Sequence, residues 1–312
     1  MTIPQAIEQY IDHQRSLGMK FSSPAVVLRS FARAAGDASP GTLNTEQVHA
    51  FLFSGGTSPQ TARQKWSTLR GFYRFAVARQ IAATSPLPVR MPRASQCLLP
   101  YIYTDAEIHT LIQAVGLQPL SKLQPHTMQA ILFLLYGAGL RIGEAVRLVM
   151  ADVDLINRVL NIRLSKFYKD RLVPMGDALA LALQAYTSTR HYLGHSDADD
   201  APFLVCDKGD PISVQLADQA FRRLCKVAQV RRQDAGRYQP RLHDLRHSFA
   251  VHRLIAWYKE DADVNLMLPR LSAYLGHFQL SCTQRYLTMT PELLQQASTR
   301  FEAFSRPEEI HG

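Results

Sequence analysis

Cysteine is scarce in this chain of 312 residues: there are four, Cys97, Cys206, Cys225 and Cys282, with no Cys-x-x-Cys pair among them. That spacing offers neither a zinc knuckle nor a disulfide framework, and the four are read as reduced thiols, mostly in the core. Long apolar runs are also missing. The longest, AILFLLYGAGL, ends at Arg141 and is too short to span a bilayer. The opening MTIPQAIEQYIDHQ has no basic stretch followed by an apolar one, so no secretory signal is expected. No internal repeat or low-complexity tract is visible. These absences point to a soluble, cytoplasmic protein with no membrane partner.

Acidic residues are thin where basic ones are dense. The chain holds 35 Lys and Arg against 26 Asp and Glu, a net charge of +9 that suggests an anionic partner such as nucleic acid. Within residues 1–100 eleven Lys and Arg face only Glu8, Asp12, Asp37 and Glu46. The segment TARQKWSTLRGFYRFAVARQI gathers Trp66, Leu69, Tyr73, Ala76 and Val77 on one side of a helix. Arg63, Arg70 and Arg74 fall within about 40° of one another on another side. One face can pack while an arginine row meets phosphates, which positions a protein on DNA without reading its sequence. Arg63, Lys65, Arg70 and Arg74, with Arg90 and Arg93 beyond them, are the candidate DNA-binding residues.

Residues 1–83 read as helical, since little period-2 alternation is present. TSPLPVRMPRAS then breaks any helix with three prolines, and 84–100 is read as a basic linker between two domains. From 101 onward, TDAEIHTLIQAV restarts a helix with Thr104 as N-cap and Glu107 at the capping-box position. HTMQAILFLLYGAGLRIGEAVRL predicts a buried helix, a break at Gly137 and Gly139, and a second helix entered near Arg141. Leu160, Ile162 and Leu164 alternate with polar residues as a strand, and RLVPM reads as its hairpin partner. Beyond Asp177 the pattern is mainly helical, interrupted by the polar loop HSDADDAP.

In RYQPRLHDLRHSFAVH, His243 and His247 share the i, i+4 spacing of a zinc-hydrolase helix. The glutamate that such a helix needs after its first histidine is absent. Asp244 stands there, and the guanidinium of Arg246 would oppose a cation. The competing pair is His243 with Arg246, which at i, i+3 puts a proton-transfer group and a phosphate clamp on one face. Its companions follow the same logic. GAGLRIGEAVRL offers Arg141 with Glu144 one turn on, RLSKFYKDRLVP offers Lys166, and YLGHFQLSCTQRYL offers His277 and then Tyr286. In order and spacing, over residues 100–300, this Arg–Lys–His-x-x-Arg–His–Tyr set resembles the tyrosine recombinases, the phage-integrase family of site-specific DNA recombinases. The basic helical region before it resembles that family's core-binding domain.

The resemblance implies a mainly α fold with a small antiparallel β-sheet, arranged as a two-domain DNA clamp: a helical core-binding domain and an α+β catalytic domain. It implies that Arg141 and Arg246 hold the non-bridging oxygens of the scissile phosphate and that Tyr286 is the nucleophile. Lys166 would be the general acid, His243 the base, and His277 a hydrogen-bond partner of the phosphate, with Glu144 supporting the arginines. Lys169 is an alternative to Lys166, and His247 is read as a residue that either packs its helix or supports the site from behind the residues that touch the phosphate. No cofactor and no metal are implied, because a phosphotyrosyl link conserves the bond energy. The implied partners are double-stranded DNA recombination sites and further copies of the chain, a tetramer on two sites, with related recombinases as possible co-workers. The stretch from His247 to His277 is longer than the family's commonest pattern, and Pro269 is expected to interrupt it; recombinases of mobile elements such as transposons share that feature. After the nucleophile a helix is predicted from Thr290 and Pro291, its stripe made by Leu293, Leu294, Ala297, Phe301 and Phe304, for docking on a neighbouring protomer. A catalytically silent DNA-binding protein of this fold and a type IB topoisomerase-like enzyme remain as alternatives.

Overall fold

Asparagine and serine side chains open two helices in the amino-terminal part of the chain. The computed structural model describes residues 1–90, 99–117, 123–163, 170–233, 238–277, 279–289, 291, 293–295 and 297–298. It divides into two units, Met1–Cys97 and Leu98–Gly312. The first contains α1 (Ile3–Ser16), α2 (Ser22–Ala35), α3 (Thr45–Phe53) and α4 (Pro59–Ala78). Asn44 accepts the Gln47 N–H at 2.9 Å to start α3, and Ser58 accepts that of Thr61 at 3.2 Å to start α4. Ile7, Leu28, Phe31, Leu52, Leu69 and Tyr73 pack the four helices into one core.

The arginine row lies on α4 as the wheel predicts: Arg63, Arg70 and Arg74 are exposed, and Arg70 covers the Trp66 ring at 5.3 Å. Val77 sits on the arginine edge of the apolar arc and is exposed. Arg90 is exposed, and Arg93 lies outside the described residues. Lys65 requires a correction. Its Nζ donates to the Phe51 carbonyl at 2.9 Å and to Ser54 Oγ and Thr57 Oγ1 at 3.2 Å each, above the Phe51 ring. All three ammonium protons are thereby engaged at the carboxyl end of α3. Burial pushes its pKa down. A helical wheel gives a residue's face but not its neighbours.

The second unit begins with α5 (Asp105–Ala114), closed by the reciprocal Thr104–Glu107 cap at 2.9 and 3.2 Å. α6 (Pro125–Leu132) runs into a π turn at Phe133–Gly137, before the one-turn α7 (Ile142–Ala145). β1 (Val153–Asp154), β2 (Val159–Ile162) and β3 (Arg171–Pro174) form an antiparallel sheet in that order, with Leu160 opposite Val173. The hairpin of the sequence reading is β2–β3; Leu164 lies outside the described residues, and β1 is too short for period-2 alternation to reveal. α8 (Asp177–Tyr192), α9 (Val214–Val227), α10 (Leu242–Lys259), α11 (Val264–Leu275) and α12 (Ser281–Gln284) follow, with a 3₁₀ turn at Arg285–Thr288. Cys206 and Cys225 are buried, whereas Cys282 is exposed.

Pro269 does not interrupt its segment, because α11 runs through it. Leu268, Leu271 and Leu275 on this helix are buried with Phe249, Leu254 and Ile255 of α10, and that packing outweighs a proline cost of about 3 kcal/mol. Leu293 joins the same cluster, while Leu294 is exposed. Thr290, Phe301 and Phe304 lie outside the described residues.

Gly139 is where α10 and the α6–α7 connection meet. It has φ +60°, and a Cβ there would stand 2.6 Å from Phe249 Cδ1. Gly139→Ala is expected to cost about 3 kcal/mol, from left-handed backbone strain plus overpacking. The check is a lower urea midpoint at unchanged slope.

Candidate active site

The pocket is organised around Glu144, which is only 4% exposed. Arg141 caps the start of α7, its backbone N–H donating to Glu144 Oε2 at 3.0 Å and its Nη1 to Oε1 at 2.7 Å. From β3, Arg171 forks onto the same carboxylate, Nη1 to Oε1 at 3.1 Å and Nη2 to Oε2 at 2.8 Å. Its Nε donates to the Tyr274 carbonyl at 3.0 Å. From α10, Arg246 lies 3.9 Å from Glu144 and donates to the carbonyls of Gly139 and Leu275, each at 2.6 Å. Burial alone would raise the Glu144 pKa, but hydrogen bonds and charge from Arg171, then Arg141, hold it down at about 2. Desolvation, reinforced by Arg141, pushes Arg246 down to about 10. Three guanidiniums around one carboxylate leave a surplus of positive charge, the requirement for gripping an oxyanion.

The Leu-Gly-His turn at the end of α11 supplies the next wall. Gly276 adopts φ +64°, and the His277 N–H reaches back to the Ser272 carbonyl at 2.9 Å, ending the helix. The Gly276 carbonyl accepts Arg141 Nη2 at 3.1 Å, and a Cβ at this position would stand 2.8 Å from Arg171 Nη1. His277 Nδ1 pairs with Thr283 Oγ1 at 2.7 Å, and Thr283 is fully buried at the α12 step. Burial and the nearby arginines push His277 down to about 4.

Tyr286, on the 3₁₀ turn, is 3% exposed and packs in the α10–α11 cluster. Its hydroxyl lies 3.1 Å from His247 Nδ1, within the field of the Arg246 and Arg141 charges. The His277 ring is near-parallel to it, with centroids 6.0 Å apart. Burial raises the Tyr286 pKa, against the pull of Arg246 and Arg141. His243 meets His247 edge to face at 4.7 Å and opens to solvent. Desolvation and Arg246 push His243 down, and burial, with His243 and Arg246, pushes His247 to about 3.

Of the sequence candidates, Arg141, Glu144, Arg246, His277 and Tyr286 meet in one pocket, with His243 at its mouth. Lys166 and Lys169 lie outside the described residues. Two assignments change. The histidine bonded to Tyr286 is His247, for which the sequence leaves packing and a supporting role open, and it stands where His243 is expected. Arg171 reads from the sequence only as a strand residue, and its place at the start of β3, two residues after Lys169 in the chain, is the available signal. Among the described residues no group of three or more His, Cys, Asp or Glu is arranged to hold a metal, and no helix is long and apolar enough to cross a membrane.

Residues 103–292, the stretch that contains this pocket, match the phage integrase family. The chain belongs to that family, the tyrosine recombinases, and is by membership a site-specific recombinase. A protein of Sinorhizobium fredii named as an integrase/recombinase, y4rE, is 37% identical over 301 residues, covering 95% of this chain and 94% of that one. The tyrosine recombinase XerC of Myxococcus xanthus is 30% identical over 261 residues, covering 82% of this chain and 77% of that relative. Among solved structures, the Tn1549 transposon integrase in complex with a circular intermediate DNA shares the fold at TM-score 0.75 and 17% identity, over 98% of this chain and 100% of the other. A lambda integrase dimer bound to a core site shares it at TM-score 0.67 and 20% identity, over 90% and 97%. The fold is mainly α with a small three-stranded antiparallel sheet.

Proposed function

We propose that this recombinase cleaves and rejoins DNA through a covalent 3′-phosphotyrosyl intermediate formed on Tyr286, in the integration, excision or transposition of a mobile element. The observation that carries the reading is the buried Tyr286 hydroxyl, paired with His247 Nδ1 and facing the charge of Arg246 and Arg141, which gather with Arg171 around Glu144. Tyr286 Oη attacks phosphorus, the bond to the 5′ oxygen breaks, and the phenolic proton leaves to a bordering histidine. Arg141 and Arg246 carry the charge that builds on the non-bridging oxygens. His243 shares the Arg246 face of α10 and meets the phosphate from the mouth, and His277 hydrogen-bonds it from the α11 turn. Lys166 protonates the departing 5′ oxygen. Glu144 sets the arginine spacing without touching substrate.

Residues 1–83 act as a core-binding domain and 84–100 as a linker, with Arg63, Arg70, Arg74 and Arg90 on DNA phosphates. Residues 101–312 carry the chemistry, and four copies act on two duplex sites. A lambda integrase has been solved as a tetramer on a Holliday junction, which supports that arrangement here. The test selects nicked duplexes from a randomised pool by binding, then resolves covalent adducts on denaturing gels. An adduct whose yield is unchanged in excess chelator is expected. Bound duplexes that never yield one would overturn the reading.

A further inference from the structure

Tyr286 is 3% exposed and its Oη has one proton to donate, and the guanidiniums of Arg246 and Arg141 nearby can only donate. The hydroxyl proton therefore needs an acceptor within the pocket. His277 turns its Nδ1 to Thr283 at 2.7 Å. His243 touches the His247 ring, with no hydrogen bond to Tyr286 recorded among the described residues. His247 Nδ1, at 3.1 Å, is the acceptor in reach.

We infer that His247 is a positioning residue for the nucleophile: its Nδ1 accepts the Tyr286 hydroxyl proton and so turns the oxygen's lone pairs toward the arginine pocket. The inference rests on Tyr286 being the nucleophile. Three features support it. His247 follows Arg246 directly on α10, so one rigid helix fixes both the hydroxyl's acceptor and the guanidinium whose charge the oxygen faces. The His247 and Tyr286 rings are in contact, with centroids 5.5 Å apart, which limits swing of the phenol. Burial, with His243 and Arg246, keeps the His247 imidazole uncharged at neutral pH, so one ring nitrogen is free to accept. The proton on Nε2 leaves Nδ1 in that role.

With a protonated Nδ1, His247 would point a donor at the oxygen, and the hydroxyl proton would be left without a partner in a buried site. A phenol free to rotate would present its proton to the phosphate for part of the time. Misalignment of this kind costs up to about 100-fold in rate.

Two measurements test the inference. The first uses nicked duplexes whose scissile 5′-bridging oxygen is replaced by sulfur, a leaving group that needs no general acid, so the rate of adduct formation reports attack alone. His247→Leu has no acceptor, whereas His247→Asn places an amide oxygen near the Nδ1 position. His247→Leu is expected to slow attack on the order of 30-fold with DNA affinity within about twofold of wild type. His247→Asn is expected to recover to within about fivefold. A His247→Leu variant that attacks at the wild-type rate, or a His247→Asn variant as slow as it, would overturn the inference. The second measurement needs no DNA. In ¹⁵N-histidine-labelled protein near neutral pH, His247 is expected as the Nε2–H tautomer, with an Nδ1 shift that moves in Tyr286→Phe. An Nδ1–H tautomer overturns the inference even where adducts form, whereas absence of any wild-type adduct counts against the proposed function instead.

Discussion

Tyr286→Phe is expected to abolish the covalent protein–DNA band, a fall on the order of 10⁴-fold or more in cleavage. The substitution deletes one oxygen and nothing else. Phenylalanine fills the same place among Phe249, Leu254, Leu271 and Leu275, so packing survives. Arg246 keeps both carbonyl acceptors, Gly139 and Leu275. The lost hydrogen bond to His247 is expected to cost about 1 kcal/mol of stability. Non-covalent DNA affinity should stay within about twofold, because a neutral hydroxyl contributes no counterion release. Denaturing gels read the first expectation and native gel shifts the second. A persistent adduct would move the nucleophile elsewhere.

Glu144→Gln is expected to lower stability by about 4 kcal/mol at pH 7. The amide keeps the shape but leaves Arg141, Arg171 and Arg246 without their common counter-charge. The wild type should show the same linkage in acid. The Glu144 pKa is about 2 in the folded chain against an ordinary 4.5. Between those values the unfolded chain binds the proton and the folded chain does not, so stability is full above pH 4.5 and falls as pH drops toward 2. The shift corresponds to about 3 kcal/mol. Urea midpoints across pH 2–6 should show that slope in the wild type and lack it in Glu144→Gln. Parallel curves would place the acid-sensitive group elsewhere.

The parts of the pocket that were legible in the sequence are those joined by short spacing. Arg141 with Glu144 and His243 with Arg246 are i, i+3 pairs, and a helix turns such a pair to one side whatever surrounds it. The Thr104–Glu107 cap and the turn at Gly276 are local in the same way. Arg171 was hidden because its function is tertiary: nothing within β3 says that its fork reaches a carboxylate on α7 and a carbonyl on α11. His247 was visible, but packing and a supporting role could not be told apart, since its partner lies 39 residues away. Lys65 failed in the opposite sense, a charge on a plausible face that folding turned inward onto α3. Pro269 shows that a strong local signal loses to enough buried leucine around it.

The convergence of Arg141, Arg171 and Arg246 on a single carboxylate makes the site electrostatically frustrated. Folding must hold three like charges together around Glu144 with only one negative charge among them. A phosphodiester seated there relieves that repulsion, so substrate affinity and fold stability draw on the same charge arrangement. Substitutions that ease the crowding would therefore yield a sturdier protein with a weaker hold on its substrate, the exchange expected wherever a binding site is kept under strain.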